Sequence, residues 1–194
     1  MVSIIILAAG ESKRFGSPKQ LAKINNNQTL IEYVISNVKK SSVAETIVVL
    51  GAYKDLIAPL MPSDTKIAFN EQFKKGQTSS IKKGLEQISP QSEYFLILPV
   101  DISTVSPKTI DRIIYQFKNA KASIGIPTFE GKKGHPPIYD IGLKQEIVNL
   151  DDDEPLYLIN RKFQEKTVLI NVNDPRILIN INSPQDLEKI KNGL

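Results

Sequence analysis

Short runs of β-branched and aliphatic residues recur along the chain, and segments with helical spacing lie between them. The runs are Ser3–Leu7, Thr46–Leu50, Lys66–Phe69, Tyr94–Leu98, Ala122–Ile126 and Thr167–Ile170, with a final extended piece expected over Ile177–Ile181. Several are unbroken apolar stretches, as expected of strands covered on both faces in a parallel sheet. Thr29-x-x-Glu32 is a capping box ahead of Ile31, Val34, Ile35 and Val38, which share one helical face. Ser106–Pro107 opens another helix, with Ile110, Ile113, Ile114 and Phe117 in line behind it. Ser183–Pro184 repeats the device, Asp186 completing the box, and a further helix is expected from near Thr78 to Ile88. Strand–helix alternation at these spacings means βαβ units. The expected fold is α/β, a doubly wound, mostly parallel (mixed) sheet with helices on both faces, formed as one domain over residues 1–194. Such sheets bind ligands beyond the carboxyl ends of their strands, so the residues just after each strand are the first candidates for a site.

Composition removes several classes of chemistry. The 194 residues contain no cysteine, which excludes disulfides, thiolate metal sites and a cysteine nucleophile. The single histidine, His135, rules out a His-rich metal site and leaves a Ser-His-Asp hydrolase improbable. No apolar run approaches the ~20 residues of a membrane span. The apolar stretch from Val2 to Ala9 reads as a buried strand and not as a signal peptide, so the cytoplasm is the expected compartment. A net charge of +4 favours anionic partners. Its lysines are scattered in pairs with no dense basic block, and the aromatics occupy core-like positions. That suits phosphate-bearing small molecules at least as well as nucleic acid.

The first strand empties into Leu7-Ala8-Ala9-Gly10-Glu11-Ser12-Lys13-Arg14-Phe15-Gly16-Ser17-Pro18-Lys19. Small residues let the backbone approach a ligand, and successive free N–H groups form a nest for an anion. Arg14 and Lys19 add a forked donor and a point charge around the same anion. The dinucleotide fingerprint fails because Ser12 and Lys13 stand where glycines are needed. A Walker loop fails because Gly16 is followed by Ser17-Pro18-Lys19. Asp101 directly follows an apolar strand, where one carboxylate with ligand phosphates suffices for Mg²⁺; the plainer alternative is a turn or cap residue. Asn180 and Asn182 alternate with Ile179 and Ile181, which puts both amides on one side of an extended strand as candidate second ligands or as a polar strand face.

Leu-Ala-Ala-Gly-x-Ser-x-Arg-Phe-Gly-x-x-Lys resembles the signature loop of the MobA-like NTP transferases, which include molybdenum cofactor cytidylyltransferase. The resemblance continues through Val48–Ala52, Asn70-x-x-x-x-x-Gly76-x-x-Ser79-Ser80-x-x-x-Gly84-Leu85, Leu98-Pro99-Val100-Asp101, Gly134-His135-Pro136 and Ile179–Leu187. It implies the Rossmann-like nucleotidyltransferase fold and transfer of CMP, or another NMP, from an NTP to a small phosphorylated acceptor with release of pyrophosphate. The implied catalytic residues are Lys19 and Arg14. The implied nucleotide-binding residues are Leu7, Ala8, Ala9, Gly10, Glu11, Ser12, Asn70, Ser79, Ser80 and Gly84, one of the two serines being expected to act as a helix N-cap. Mg²⁺ is implied at Asp101, with Asn182 or Asn180 where the family often has aspartate. Ala8–Ala9 stands where guanine-reading members tend to have two glycines, which implies CTP first and UTP second.

The resemblance makes molybdopterin the first acceptor. Gly134, His135 and Asp153 are the acceptor-side candidates, His135 being alternatively a loop residue without a role. Residues 149–155 depart from the family's Gly-Asp-x-Gly-Ala-Arg motif and keep only Asp153. A molybdoenzyme or a cofactor-insertion protein is the implied protein partner. Rival readings are a sugar-1-phosphate nucleotidyltransferase and a non-catalytic nucleotide-binding regulator. A glycosyltransferase using Asp151–Asp153 is discounted because that acidic run lies too far past the fourth strand.

Overall fold

The computed structural model describes residues 1–102 and 104–191. Its strands are β1 (Val2–Ala8), β2 (Glu45–Leu50), β3 (Lys66–Phe69), β4 (Tyr94–Pro99), β5 (Ile124–Phe129), β6 (Lys132–Lys133), β7 (Ile138–Asp140) and β8 (Thr167–Asn171). The α-helices are α1 (Leu30–Lys39), α2 (Lys54–Ile57), α3 (Gln77–Glu86), α4 (Pro107–Lys118), α5 (Lys144–Val148), α6 (Tyr157–Lys162) and α7 (Pro184–Lys191). All strands join one sheet in the order β3-β2-β1-β4-β7-β5-β6, with β8 also paired to β5. The pairs β1–β2, β1–β4, β2–β3 and β5–β8 are parallel, whereas β7 and β6 run antiparallel to their neighbours. The sheet is therefore mixed and mostly parallel, as the alternation of elements implies.

β1 lies inside the sheet between β2 and β4, and from Ile4 to Ala8 its residues are all apolar. Ile4, Ile6 and Ala8 enter one core with the inward faces of α1 and α4. Ile5, Leu7 and Ala9 enter the opposite core with Ile81 and Leu85 of α3, Ile147 of α5 and Ile159 of α6. Successive side chains of a strand point to opposite faces, so a strand covered on both sides has no position for a polar residue. The expected capping box forms: the Thr29 N–H donates to Glu32 Oε2 at 2.7 Å, while the Glu32 N–H reaches Thr29 Oγ1 at 3.5 Å.

The structure corrects the reading in three places. The strands β6 and β7 escape recognition because two and three residues are too few to show alternation. No strand forms over 177–181. Asp174 accepts from the Arg176 N–H at 3.1 Å with Pro175 at the first position, and the chain turns into a 3₁₀ helix over Pro175–Leu178. Gly84, expected at the nucleotide, instead lies where α3 presses on β1. A Cβ there would overlap Ile5 Cγ2, so its lack of a side chain serves helix–sheet contact.

Asp174 also ties this turn to α4. Its carboxylate accepts from Thr109 Oγ1, from Ser106 Oγ at 3.3 Å, and from Arg176 Nε and Nη2 at 2.7 and 3.1 Å. Burial raises its pKa, but the Arg176 and Thr109 hydrogen bonds outweigh that and hold the carboxyl below its ordinary range. A depressed folded-state pKa gives stability that is complete above the unfolded carboxylate range and is lost as pH falls through the depressed value. Asp174→Asn is therefore expected to lower the melting temperature at neutral pH and to flatten its decline below pH 5. Melting curves from pH 7 to pH 3 check this, and an unchanged acid limb in the variant would remove Asp174 from the account.

Candidate active site

The carboxyl ends of β1 and β4 open onto a cleft of about 270 Å³. Leu7, Ala9 and Gly10 line it from the β1 side, Pro99, Val100 and Asp101 from the β4 side, and Phe73, Gly76, Gln77 and Ser80 from the start of α3. Lys19 and Gln20 complete the wall. Backbone bonds carry the strand register into this rim: the Val100 N–H donates to Leu7 O at 3.0 Å, and the Ala52 N–H to Ala9 O at 3.0 Å.

Lys19 and Asp101 meet across the cleft. Lys19 Nζ lies 2.8 Å from Asp101 Oδ2, and the two side chains are only 15% and 20% exposed. Partial removal from water strengthens such a pair relative to an exposed one, and it presents both signs of charge to anything that enters. The Ile181 N–H donates to Asp101 O at 2.9 Å, so the segment after the 3₁₀ turn runs directly beside the carboxylate. His135 approaches from the same rim, its N–H on Ile177 O at 3.0 Å. Burial holds its imidazole below the ordinary histidine range, against the upward pull of Asp101, and its buried Nδ1 has no hydrogen-bond partner.

The loop after β1 is held in an unusual shape. Ser12 adopts a left-handed conformation at φ 56°, Gly16 another at φ 80°. The backbone N–H groups of Gly10, Glu11 and Ser12 donate to no protein acceptor among the described residues. Tyr53 OH donates to Glu11 O at 3.0 Å, and the Glu11 carboxylate faces Lys13 at 3.1 Å and Lys74 at 3.8 Å. Arg14 is exposed on the 3₁₀ turn over Lys13–Phe15 and is not among the cleft-lining residues.

Asn70, Ser79 and Ser80 form a buried knot. Asn70 Nδ2 donates to Ser79 Oγ and to Ser80 Oγ, each at 2.9 Å, and Asn70 Oδ1 accepts from the Gln72 N–H at 2.9 Å. Ser79 Oγ donates onward to Gly76 O at 2.7 Å. Neither serine is the N-cap of α3; Gly76 is, without a side-chain cap. Of the three, Ser80 alone lines the cleft, while Asn70 and Ser79 shape the turn that carries Phe73 and Gly76. Phe73 carried no motif in the sequence, yet it closes the cleft opposite Ala9. A Cβ placed on Gly51 would stand 2.9 Å from both Ala9 Cβ and Phe73 Cδ1 and 2.6 Å from Ala9 O. Gly51 is the gap through which these walls converge.

The remaining candidates fall elsewhere. The Ala8 side chain enters the core on the far face of the sheet. Asn180 is exposed and lines a separate cleft with Thr104, Arg176 and Lys189. Asn182 is half-buried, its N–H on Asp186 Oδ2 at 3.1 Å. Asp153 is exposed in a groove with Lys75 and Lys82 that adjoins Asp101's cleft, since a Cβ on the cleft-lining Gly76 would stand 3.1 Å from Asp153 Cα. Gly134 packs against the 3₁₀ turn, where a Cβ would lie 2.6 Å from Ile177 O.

Sheet order, the anion-receptive turn after β1 and the position of the cleft define a Rossmann-like nucleotidyltransferase. The chain belongs to the family described as the MobA-like NTP transferase domain, whose profile matches residues 4–168. It is similar to a probable molybdenum cofactor guanylyltransferase of Bacillus cytotoxicus, 31% identical over 191 residues that span 89% of this chain and 92% of the relative. Among solved structures, the Rv0371c homologue from Mycobacterium sp. strain JC1 aligns with a TM-score of 0.86 at 21% identity, covering 99% of this chain and 96% of that one. Rv0371c of Mycobacterium tuberculosis H37Rv in complex with manganese aligns at 0.80 with 18% identity, covering 100% and 99%. At these identities the structures testify to the fold.

Proposed function

We propose that this chain transfers a nucleoside monophosphate from an NTP, CTP in the first place, to a small phosphorylated acceptor, molybdopterin in the first place. The observation that carries the reading is the Lys19–Asp101 pair, set across the strand ends from the unpartnered N–H groups of Gly10, Glu11 and Ser12. Amides and a lysine suit the triphosphate, and a carboxylate opposite them suits a divalent cation.

In the proposed reaction an acceptor phosphate oxygen attacks the α-phosphorus in line. A new P–O bond forms, the bond to the β-phosphate oxygen breaks, and pyrophosphate departs. A phosphate monoester has a second pKa near ~6 and is already ionised at neutral pH, so no general base is needed. Lys19 turns from Asp101 toward the charge that builds on the α-phosphoryl and the leaving group, and the nest amides hold the phosphates in register. Arg14 lies on the adjacent exposed turn, from which it can fold onto the outer phosphates.

The donor set fits magnesium. Mg²⁺ uses one or two carboxylates, keeps water, and takes the rest of its ligands from phosphate, so the lone Asp101 is adequate. Asp101 would hold the ion, with Asn182, which follows the Ile181 bonded to the Asp101 backbone, to serve beside it. When bound, the ion supplies positive charge to the phosphates.

Base choice rests on Ala9 and Phe73. The Ala9 methyl is 4% exposed and converges with Phe73, which narrows the cleft and favours a pyrimidine. GTP is the second reading, favoured by the name of the Bacillus cytotoxicus relative. Pyrophosphate release is measured with each NTP, Mg²⁺ and either molybdopterin or a sugar 1-phosphate. The expected outcome is CTP-dependent release with molybdopterin. Ala9→Gly is expected to raise the GTP/CTP ratio of kcat/KM by about tenfold, the size of one methyl in a fitted pocket. Tight NTP binding with no turnover on either acceptor would instead favour the regulator.

A further inference from the structure

Beside Lys19 sits a residue that no motif singles out. Gln20 is 1% exposed, and every polar atom of its side chain is engaged. Its Nε2 donates to Ala8 O and to Gly10 O, each at 2.9 Å, and its Oε1 accepts from Ser12 Oγ at 3.2 Å. One side chain thus grips three alternate residues of the loop after β1 and borders the same cleft.

The consequence follows from peptide geometry. A trans peptide is planar, so a carbonyl drawn toward Gln20 sends the next residue's N–H the opposite way. The Gly10 carbonyl thereby turns the Glu11 N–H away from the clamp, and the Ala8 carbonyl does the same for Ala9. Ser12 is held left-handed at φ 56°, a conformation that a non-glycine residue keeps only where its surroundings enforce it. Among the described residues, the N–H groups of Gly10, Glu11 and Ser12 have no protein acceptor. Successive amides facing one way make an anion nest, and their pattern depends on what holds the carbonyls back.

We propose that Gln20 is a positioning residue whose amide presets the loop over residues 8–12 for the triphosphate, and so governs nucleotide affinity and leaves the chemical step to other groups. This rests on the nucleotidyl-transfer reading above. Because Gln20 follows Lys19 directly, the clamp fixes the nest relative to the Lys19–Asp101 pair.

The test uses the whole chain and two substitutions. Gln20→Glu keeps the shape but sets an oxygen against two carbonyls, and Gln20→Met keeps the length without polar atoms. CTP and GTP dissociation constants, kcat, KM for nucleotide and for acceptor, and melting temperature are measured for each. The expected result is a rise of at least about tenfold in nucleotide Kd and KM, as when buried polar groups lose their partners. The kcat at saturation and the acceptor KM should stay within about threefold, and melting within a few degrees. Wild-type nucleotide affinity in either folded variant overturns the proposal, and so does a fall in kcat with KM unmoved. If neither variant folds, Gln20→Asn, which keeps the amide but shortens its reach, decides by the same comparison. A wild-type chain that binds no NTP overturns the functional reading itself, a failure visible before any variant is compared.

Discussion

Asp101→Ala is expected to slow nucleotidyl transfer by roughly 100-fold to 1000-fold, the loss found when a single preorganised electrostatic group is removed from a site. The side chain is 20% exposed and faces Lys19 Nζ at 2.8 Å, so its removal leaves the lysine charge partly desolvated and unopposed. In the proposed reaction it also removes the carboxylate that holds the cation against the phosphates. Asp101→Asn should fall nearly as far, because shape is retained while charge is lost. Lys19→Ala should cost a similar factor, and the double variant should be less than additive, since the two groups act on the same phosphates. The backbone of Asp101 is tied in place by Ile181, so melting should change little. Rates within threefold of wild type for both single variants, measured as pyrophosphate release, would dissolve the proposed mechanism.

Phe95→Ala is expected to lower stability by ~3–5 kcal/mol, the usual range for deleting a buried aromatic ring. In a chain of this size that corresponds to a fall in melting temperature of roughly 10 °C. Phe95 is fully buried near the start of β4 and stacks on Tyr139 of β7, with ring centroids 5.4 Å apart and planes 19° apart. Tyr139 in turn donates its hydroxyl to Asn160 Oδ1 at 3.2 Å, which binds α6 to the sheet. Loss of the ring therefore leaves a cavity between the parallel half of the sheet and its antiparallel partner. Phe95→Leu fills most of that space and should cost less than half as much. Denaturant unfolding of both variants checks the pair, and a loss below ~1 kcal/mol for the alanine variant contradicts the packing described.

What the sequence discloses follows the range over which each interaction acts. The doubly wound sheet is legible because β1, β2 and β4 are continuous apolar runs and the helix starts carry local caps. Asp101 is legible as a candidate because it stands just past β4, where position alone aims a side chain at the rim, and Lys19 because it closes the small-residue and cation pattern of the loop after β1. Gln20 is not, since its role lies in three carbonyl and hydroxyl contacts that exist only once the loop is folded. Gly84 shows the converse ambiguity: a glycine that admits a ligand and one that admits Ile5 look the same in a sequence. Alternation pairs Asn180 with Asn182 in the sequence, yet Asn180 lines another cleft, which only the folded path of the chain discloses. Phe73 lacked any periodic or motif context, and only its convergence with Ala9 at Gly51 reveals it.

The reversed direction of β7 has a lasting effect on how this molecule can change. Because that strand runs against β4, the connection preceding it brings His135 to the rim, its N–H on Ile177 O at 3.0 Å. In the proposed reaction, donor and recipient would thus be served by different stretches of chain. On that reading the stretch after β5 can take up a new recipient while the loop after β1 keeps its hold on the triphosphate, a division of labour that lets a single scaffold diversify.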